Sequence, residues 1–210
     1  MPDVVTSKQA FMTGLWRENP IFRQILGICS TLAVTNLLSN TLVMVAGLVY
    51  TAVCSNVTMS LLRNHIPRRI RIMVEVLIIS FYVVLLDMFL KAYMPDFSRA
   101  LGAYVGLIIT NCILMGRLEA FAGQNPVIPS FFDGLGCGLG YGFILVTIAV
   151  VRELAGFGTL MQGTPLQITI FGEGWTRWTL MVVPSGAFFM LGIMVWICRS
   201  IWMKEEEAGK

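Results

Sequence analysis

The stretch Leu42–Leu62, LVMVAGLVYTAVCSNVTMSLL, decides the class of fold. It carries no charge over its whole length, and as an α-helix rising about 1.5 Å per residue it reaches roughly 31 Å, enough to cross the hydrocarbon core of a bilayer. A soluble domain has no use for such a run, so the rest of the chain is read for further spans.

Ile72–Ala92, IMVEVLIISFYVVLLDMFLKA, is apolar through its middle, with Glu75 near one end and Asp87 and Lys91 near the other. Leu135–Val151 and Leu180–Ile197 are shorter, the first rich in glycine and the second containing Pro184. Membrane helices tolerate both residues. Two further apolar pieces, Ile25–Leu38 and Leu101–Gly116, fall short of the roughly 20 residues a straight span needs and carry small and polar residues at their centres. The chain of 210 residues is 56% hydrophobic and 13% charged, a membrane composition with no segment left over for a soluble core. The expected fold is an all-α integral membrane protein, residues 1–210 forming one polytopic domain of six segments. The first apolar run begins beyond residue 20 without a small-residue cleavage pattern after it, so it is expected to be retained.

Charge sets the expected orientation. The connection RNHIPRRIR holds Arg63, Arg68, Arg69 and Arg71 and no acid, and short basic loops stay on the cytoplasmic side. From there Lys8, Arg17 and Arg23, then Arg117, then Arg199 and Lys204 fall inside. The outer connections, Ser39–Thr41, Tyr93–Ala100 and Ala155–Thr179, hold only Arg99 and Arg177. Both termini are thus expected in the cytoplasm, and the net charge of +3 expresses this bias rather than a nucleic-acid surface. The tail KEEEAGK reads as a solvated end. His65, the single histidine, sits in the basic loop as a headgroup-level side chain, since one histidine alone builds neither a metal site nor a proton relay.

Each half of the chain, approximately residues 21–92 and 101–199, reads as one short segment followed by two longer ones. Three spans per half is an odd number, so two halves of like fold must enter the membrane in opposite senses, as an inverted repeat. Each short segment carries a cysteine, Cys29 in LGICSTLAVT and Cys112 in GLIITNCILMGR. Arg23 precedes the first by six residues and Arg117 follows the second by five. If both arginines mark the cytoplasmic interface, both sulfurs lie roughly 7 to 9 Å in from it.

For Cys54, Cys137 and Cys198 the expected role is that of a small buried hydrophobe. For Cys29 and Cys112 three readings stand open: the same packing role, a disulfide, which a reducing compartment disfavours, or metal ligation, for which two lone cysteines without CxxC are a weak signal. A 2Fe-2S cluster normally takes four thiolates, so a partner would have to supply two. Thr110 and Asn111, beside Cys112, are candidate groups to hydrogen-bond sulfur or the freed backbone of a broken helix.

At these residues the chain resembles a known family. NPIFRQILGICSTLAVT, SLLRNHIPRRIRI, VGLIITNCILMGRLEAFA and DGLGCGLGYGF...VRELAGFGTL are similar to a family of integral membrane subunits. It comprises the D and E subunits of the Na+-translocating NADH:quinone oxidoreductase and the A and E subunits of the Rnf ferredoxin:NAD oxidoreductase. The match runs from about Asn19 to Arg199. The RNHIP loop and CSTLAVT lie nearer the D-type subunits of the sodium pump, since the Rnf E-type subunit typically has proline where this chain has Ser30. The resemblance implies a redox-driven ion translocase of the bacterial inner membrane. It implies pairing with a homologous subunit of opposite topology, the E-type subunit, and a shared 2Fe-2S cluster to which Cys29 and Cys112 supply two of four ligands. That cluster would relay single electrons across the bilayer, with flavin, NADH and quinone sites on other subunits. Catalysis by this chain alone is not expected.

The chain itself shows no nucleotide or flavin motif: GLGCGLGYG lies inside an apolar segment with no strand before it, which suits close helix packing. Asp133 reads as a helix-start residue. Asp87 with Lys91, and Glu75 with Arg71, are each four apart and read as pairs on one helix face. Arg117, Glu119, Arg152 and Glu153 read as interface anchors. Within the family the Rnf E-type subunit stays open as the alternative, since GLWRENP suits either complex; an inverted-repeat secondary transporter and a non-catalytic scaffold are the alternatives from other classes.

Overall fold

The structure, a computed structural model, describes residues 26–93, 102, 104, 106–160, 168–169 and 183–208. Among these residues the main helices are α1 (Ile28–Val34), α2 (Leu38–Leu62), α3 (Arg71–Tyr93), α4 (Cys112–Arg117), α5 (Val127–Phe157) and α6 (Pro184–Ala208). A 3-10 turn at Arg68–Ile70 leads into α3, and a π-helical segment at Leu118–Ala122 continues α4. The only strands among the described residues are the two-residue β1 (Thr159–Leu160) and β2 (Ile168–Thr169), paired antiparallel.

Three of the described helices are long and apolar enough to cross a membrane, Leu38–Leu62, Arg71–Tyr93 and Val127–Gly156; the apolar part of α6, Pro184–Ile197, is shorter. Their boundaries differ from those the apolar runs suggest. The polar residues Ser39, Asn40 and Thr41, expected in an outer connection, belong to the first turn of α2. The actual break is Thr35–Leu37, where Thr41 Oγ1 donates to the carbonyls of Val34 and Leu37 and so stitches α1 to α2. Likewise α5 begins eight residues before Leu135, at Val127 after Pro126. Proline is tolerated at a helix start because the N–H it lacks has no intrahelical partner there. The C-terminal helix runs on through Glu205–Glu207 instead of ending at Ile197.

The pair α2–α5 forms the most extensive contact in the fold, and small residues explain it. Gly134, Gly138 and Gly142, four apart on α5, face Ala52, Val49 and Val45 of α2 so closely that a Cβ at Gly138 would sit 3.1 Å from Val49 Cγ2. The glycine pattern is therefore a helix-packing stripe, as expected. Polar residues on the α2 face are satisfied locally or across the seam. Thr51 and Ser55 donate one turn back to Gly47 O and Thr51 O, while Asn56 donates to Ser130 O and Ser60 to Asn125 O. This removes the penalty of carrying them into an apolar layer. Around the pair lie two apolar clusters, one including Met44, Met59, Ile79 and Leu118, the other Leu48, Ile113, Ile144 and Leu145. Helix α3 leaves Met73, Leu77, Phe81 and Met88 exposed, an apolar face suited to lipid.

Candidate functional site at the two short-helix starts

In both short segments a short helix starts at or just before the cysteine. In the first, Gly27 takes a left-handed conformation (φ +80°) and α1 begins at Ile28, which makes Cys29 its second residue. Any Cβ at residue 27 would be strained by that φ and would also collide with Ile113 and approach Tyr141 Cε2 to 3.0 Å, so only glycine fits. In the second, residues 106–109 are helical, the chain breaks at Thr110–Asn111, and α4 begins at Cys112. Asn111 Oδ1 accepts from Ile113 N at 3.0 Å, an N-cap that closes one of the freed backbone donors. Thr110 Oγ1 donates back to Gly106 O at 3.3 Å, so it serves the backbone on the other side of the break.

The two helix starts meet. Asn111 Nδ2 donates to Ser30 Oγ at 3.3 Å, joining the residue before Cys112 to the residue after Cys29. Tyr141 of α5, fully buried, places its hydroxyl 2.5 Å from Ser30 Oγ and donates to Gly27 O at 3.0 Å. Thr31 Oγ1 also donates to Gly27 O, at 2.9 Å. Residues 81 positions apart are thereby held in one hydrogen-bonded layer, and a buried layer whose members are all partnered is rigid.

Next to that layer Cys29 and Cys112 are both exposed, and neither is in a disulfide. Among the described residues no three His, Cys, Asp or Glu side chains gather as a metal site. The donor set offered here is two open thiols at the joined helix starts, which suits half of a tetrathiolate site completed from outside the chain. Cys137 is buried and Cys54 half-buried, in keeping with packing roles. The side chain of Cys198 lies outside the described residues. So do Arg23, which set the expected depth of Cys29, and Lys8, Arg17, Arg99 and Arg177.

The charged residues near the site correct several expectations. Arg117 is no headgroup anchor: it is 5% exposed, and its guanidinium grips the carboxylate of Asp133, which is 0% exposed, through Nε to Oδ2 at 3.1 Å and through Nη2 to Oδ1. Asp133 accordingly lies inside α5 rather than at its start. Burial makes each charge require the other. Because Arg117 points inward, it cannot serve as the ruler for the depth of Cys112. Arg152 and Glu153 are also buried. Arg152 donates to Thr35 Oγ1 and to Val183 O, and Glu153 Oε2 accepts the N–H of Leu38 at 2.7 Å, capping the free end of α2 at the break after α1. The i,i+4 pairs stand as expected, Lys91–Asp87 at 2.6 Å and Arg71–Glu75 at 3.3 Å, and Arg71 also meets Glu119 at 3.0 Å.

Ser30 and Tyr141 were not among the expected site residues. One signal was available: a lone tyrosine in the middle of a glycine-rich apolar helix must find a partner for its hydroxyl. Its partner could not be named, because it lies on a segment 111 residues away.

The chain is similar to known proteins over nearly its whole length. The family profile described as "Rnf-Nqr subunit, membrane protein" matches residues 7–195. The D subunit of the Na(+)-translocating NADH-quinone reductase of Photobacterium profundum is 43% identical over 208 residues, 99% of each chain. The protein of the same name from Shewanella woodyi is 45% identical over 202 residues, 96% of each. With the profile spanning nearly the whole chain and full-length relatives above 40% identity, the chain belongs to the Rnf-Nqr family of membrane-protein subunits.

Proposed function

We propose that this chain is a membrane subunit of a bacterial Na+-translocating NADH:quinone reductase, and that with a homologous subunit of opposite topology it holds an intramembrane 2Fe-2S cluster. The observation that carries the reading is the pair of exposed thiols, Cys29 and Cys112, at two short-helix starts bonded to each other through Ser30 and Asn111. The names of the full-length relatives favour the quinone-linked complex over the ferredoxin-linked one. When bound, the cluster supplies one-electron transfer. This chain's own contribution is to present two thiolates at fixed spacing and keep the polar groups beside them satisfied. Two ligands on one surface require two more from a facing subunit. The halves at approximately residues 21–92 and 101–199 are read as an inverted repeat, with both termini cytoplasmic. In support, each half starts a short helix at or just before its cysteine, and the long helices that come next in the two halves, α2 and α5, pair with each other.

The test uses the purified complex. It is expected to contain iron and to show sulfur-to-iron charge-transfer absorbance, and Cys29→Ala or Cys112→Ala in the assembled complex is expected to remove that share of iron and halt NADH:quinone electron transfer. Unchanged iron content in both variants would refute the proposal. Solute uptake by this chain alone in liposomes would replace it with the transporter reading.

A further inference from the structure

Tyr141 carries more hydrogen bonds than packing alone requires. Its ring fills space in α5 that a phenylalanine would fill equally well, so the hydroxyl is the part whose presence asks for a reason. That hydroxyl has one proton. The hydroxyl oxygen lies 3.0 Å from Gly27 O and 2.5 Å from Ser30 Oγ, a contact in which either hydroxyl can be the donor, since Ser30 Oγ also donates to Gly27 O at 3.1 Å. Ser30 Oγ in turn accepts from Asn111 Nδ2 at 3.3 Å. One connected chain results: Asn111, Ser30, Tyr141, Gly27. Its first member is the N-cap of α4, whose first residue is Cys112, and its last is the N-cap of α1, whose second residue is Cys29. Tyr141 itself stands on α5, the most buried of the spanning helices.

We infer that Tyr141 is a positioning residue for the two thiols: its hydroxyl ties both short-helix starts to α5 and so fixes the spacing of Cys29 and Cys112. This rests on the proposed half-site. Neither sulfur receives a hydrogen bond from Tyr141. The effect passes through the backbone at Gly27 and through the Asn111 cap, and both are points of attachment for short helices of seven and six residues that have little stability of their own. Outer groups that orient ligands typically govern metal retention by about 10- to 100-fold.

The test is Tyr141→Phe in the assembled complex, with hydrogen–deuterium exchange of the amides of residues 28–34 and 112–117 as the readout that needs no iron. Exchange at both segments is expected to rise together, by about tenfold, while α2 and the rest of α5 keep their protection. Iron is expected to leave to a chelator about tenfold faster. Ser30→Ala removes one of three side-chain bonds to Gly27 O, leaving those of Tyr141 and Thr31, but removes the whole bridge to Asn111, so it should loosen residues 112–117 more than residues 28–34. Unchanged exchange at both segments in Tyr141→Phe overturns the inference, as does a rise confined to residues 28–34. If both segments loosen but the wild-type complex holds no iron, the tie between the helix starts stands and the 2Fe-2S reading falls.

Discussion

Replacing Gly134 by alanine should weaken the α2–α5 seam, although alanine is the better helix former. A Cβ at that position would meet Asn56 Nδ2 at 2.8 Å and the Ala52 carbonyl, O at 3.1 Å and C at 3.3 Å. Two of those three atoms are backbone of a 25-residue helix and cannot rotate aside, so the seam must open by a few tenths of an ångström and Asn56 must also give up its bond to Ser130 O. Overpacking costs about 1–3 kcal/mol and the lost hydrogen bond about 1 kcal/mol. The helix-propensity gain of about 1 kcal/mol opposes them. The net is a loss of about 1–3 kcal/mol, or a melting temperature lower by about 2–12 °C for a chain of this size. Gly192→Ala on α6 is the control, because a Cβ there has nothing within 4 Å, which leaves the propensity gain unopposed. Thermal unfolding in detergent, followed by the helix signal, should therefore move in opposite directions for the two variants. Equal shifts, or stabilisation by both, would refute the packing argument. Adding Asn56→Ala to Gly134→Ala should restore only part of the loss, since the Ala52 carbonyl remains.

Asp133→Ala strips the carboxylate from the buried Arg117 and should cost about 3–5 kcal/mol, whereas the double replacement Arg117→Met with Asp133→Leu should fall within about 1 kcal/mol of the parent; a double-mutant cycle on unfolding free energy checks the difference. Glu153→Ala removes the acceptor of the Leu38 N–H and should destabilise by about 1–2 kcal/mol, with faster amide exchange confined at first to the opening turn of α2. Lys91→Ala, which breaks a pair whose lysine side chain is 64% exposed, should change stability by less than about 0.5 kcal/mol in the same unfolding assay.

Much of the fold was legible because the signals are local. The uncharged run from Leu42 marks a span in any context, and the pairs Asp87–Lys91 and Arg71–Glu75 follow from helical spacing alone. The stripe at Gly134, Gly138 and Gly142 announced a close helix contact, though not that Ala52, Val49 and Val45 would supply the other side. Boundaries were less legible. Ser39, Asn40 and Thr41 look like a loop, yet the first turn of a helix is where polar side chains find free backbone groups, and a buried Glu153 from the other half caps that turn. Cys29 and Cys112 stood out by their matching places in two short segments. That Ser30 and Asn111 join those segments beside Tyr141 was visible only in three dimensions.

The sequence by itself determined that this chain lies in a membrane as helices, because the transfer energy of about 20 consecutive residues is a sum over neighbours along the chain. It also singled out two of the five cysteines, by their matching places in two short apolar segments. The tertiary structure decided where each ionised or polar side chain finds its partner: Arg117 on Asp133, Arg152 at Thr35, Glu153 at Leu38, Tyr141 at Gly27. In an apolar layer without water every such group must be met by another. Which one meets it depends on how distant helices pack, and no window of sequence contains that.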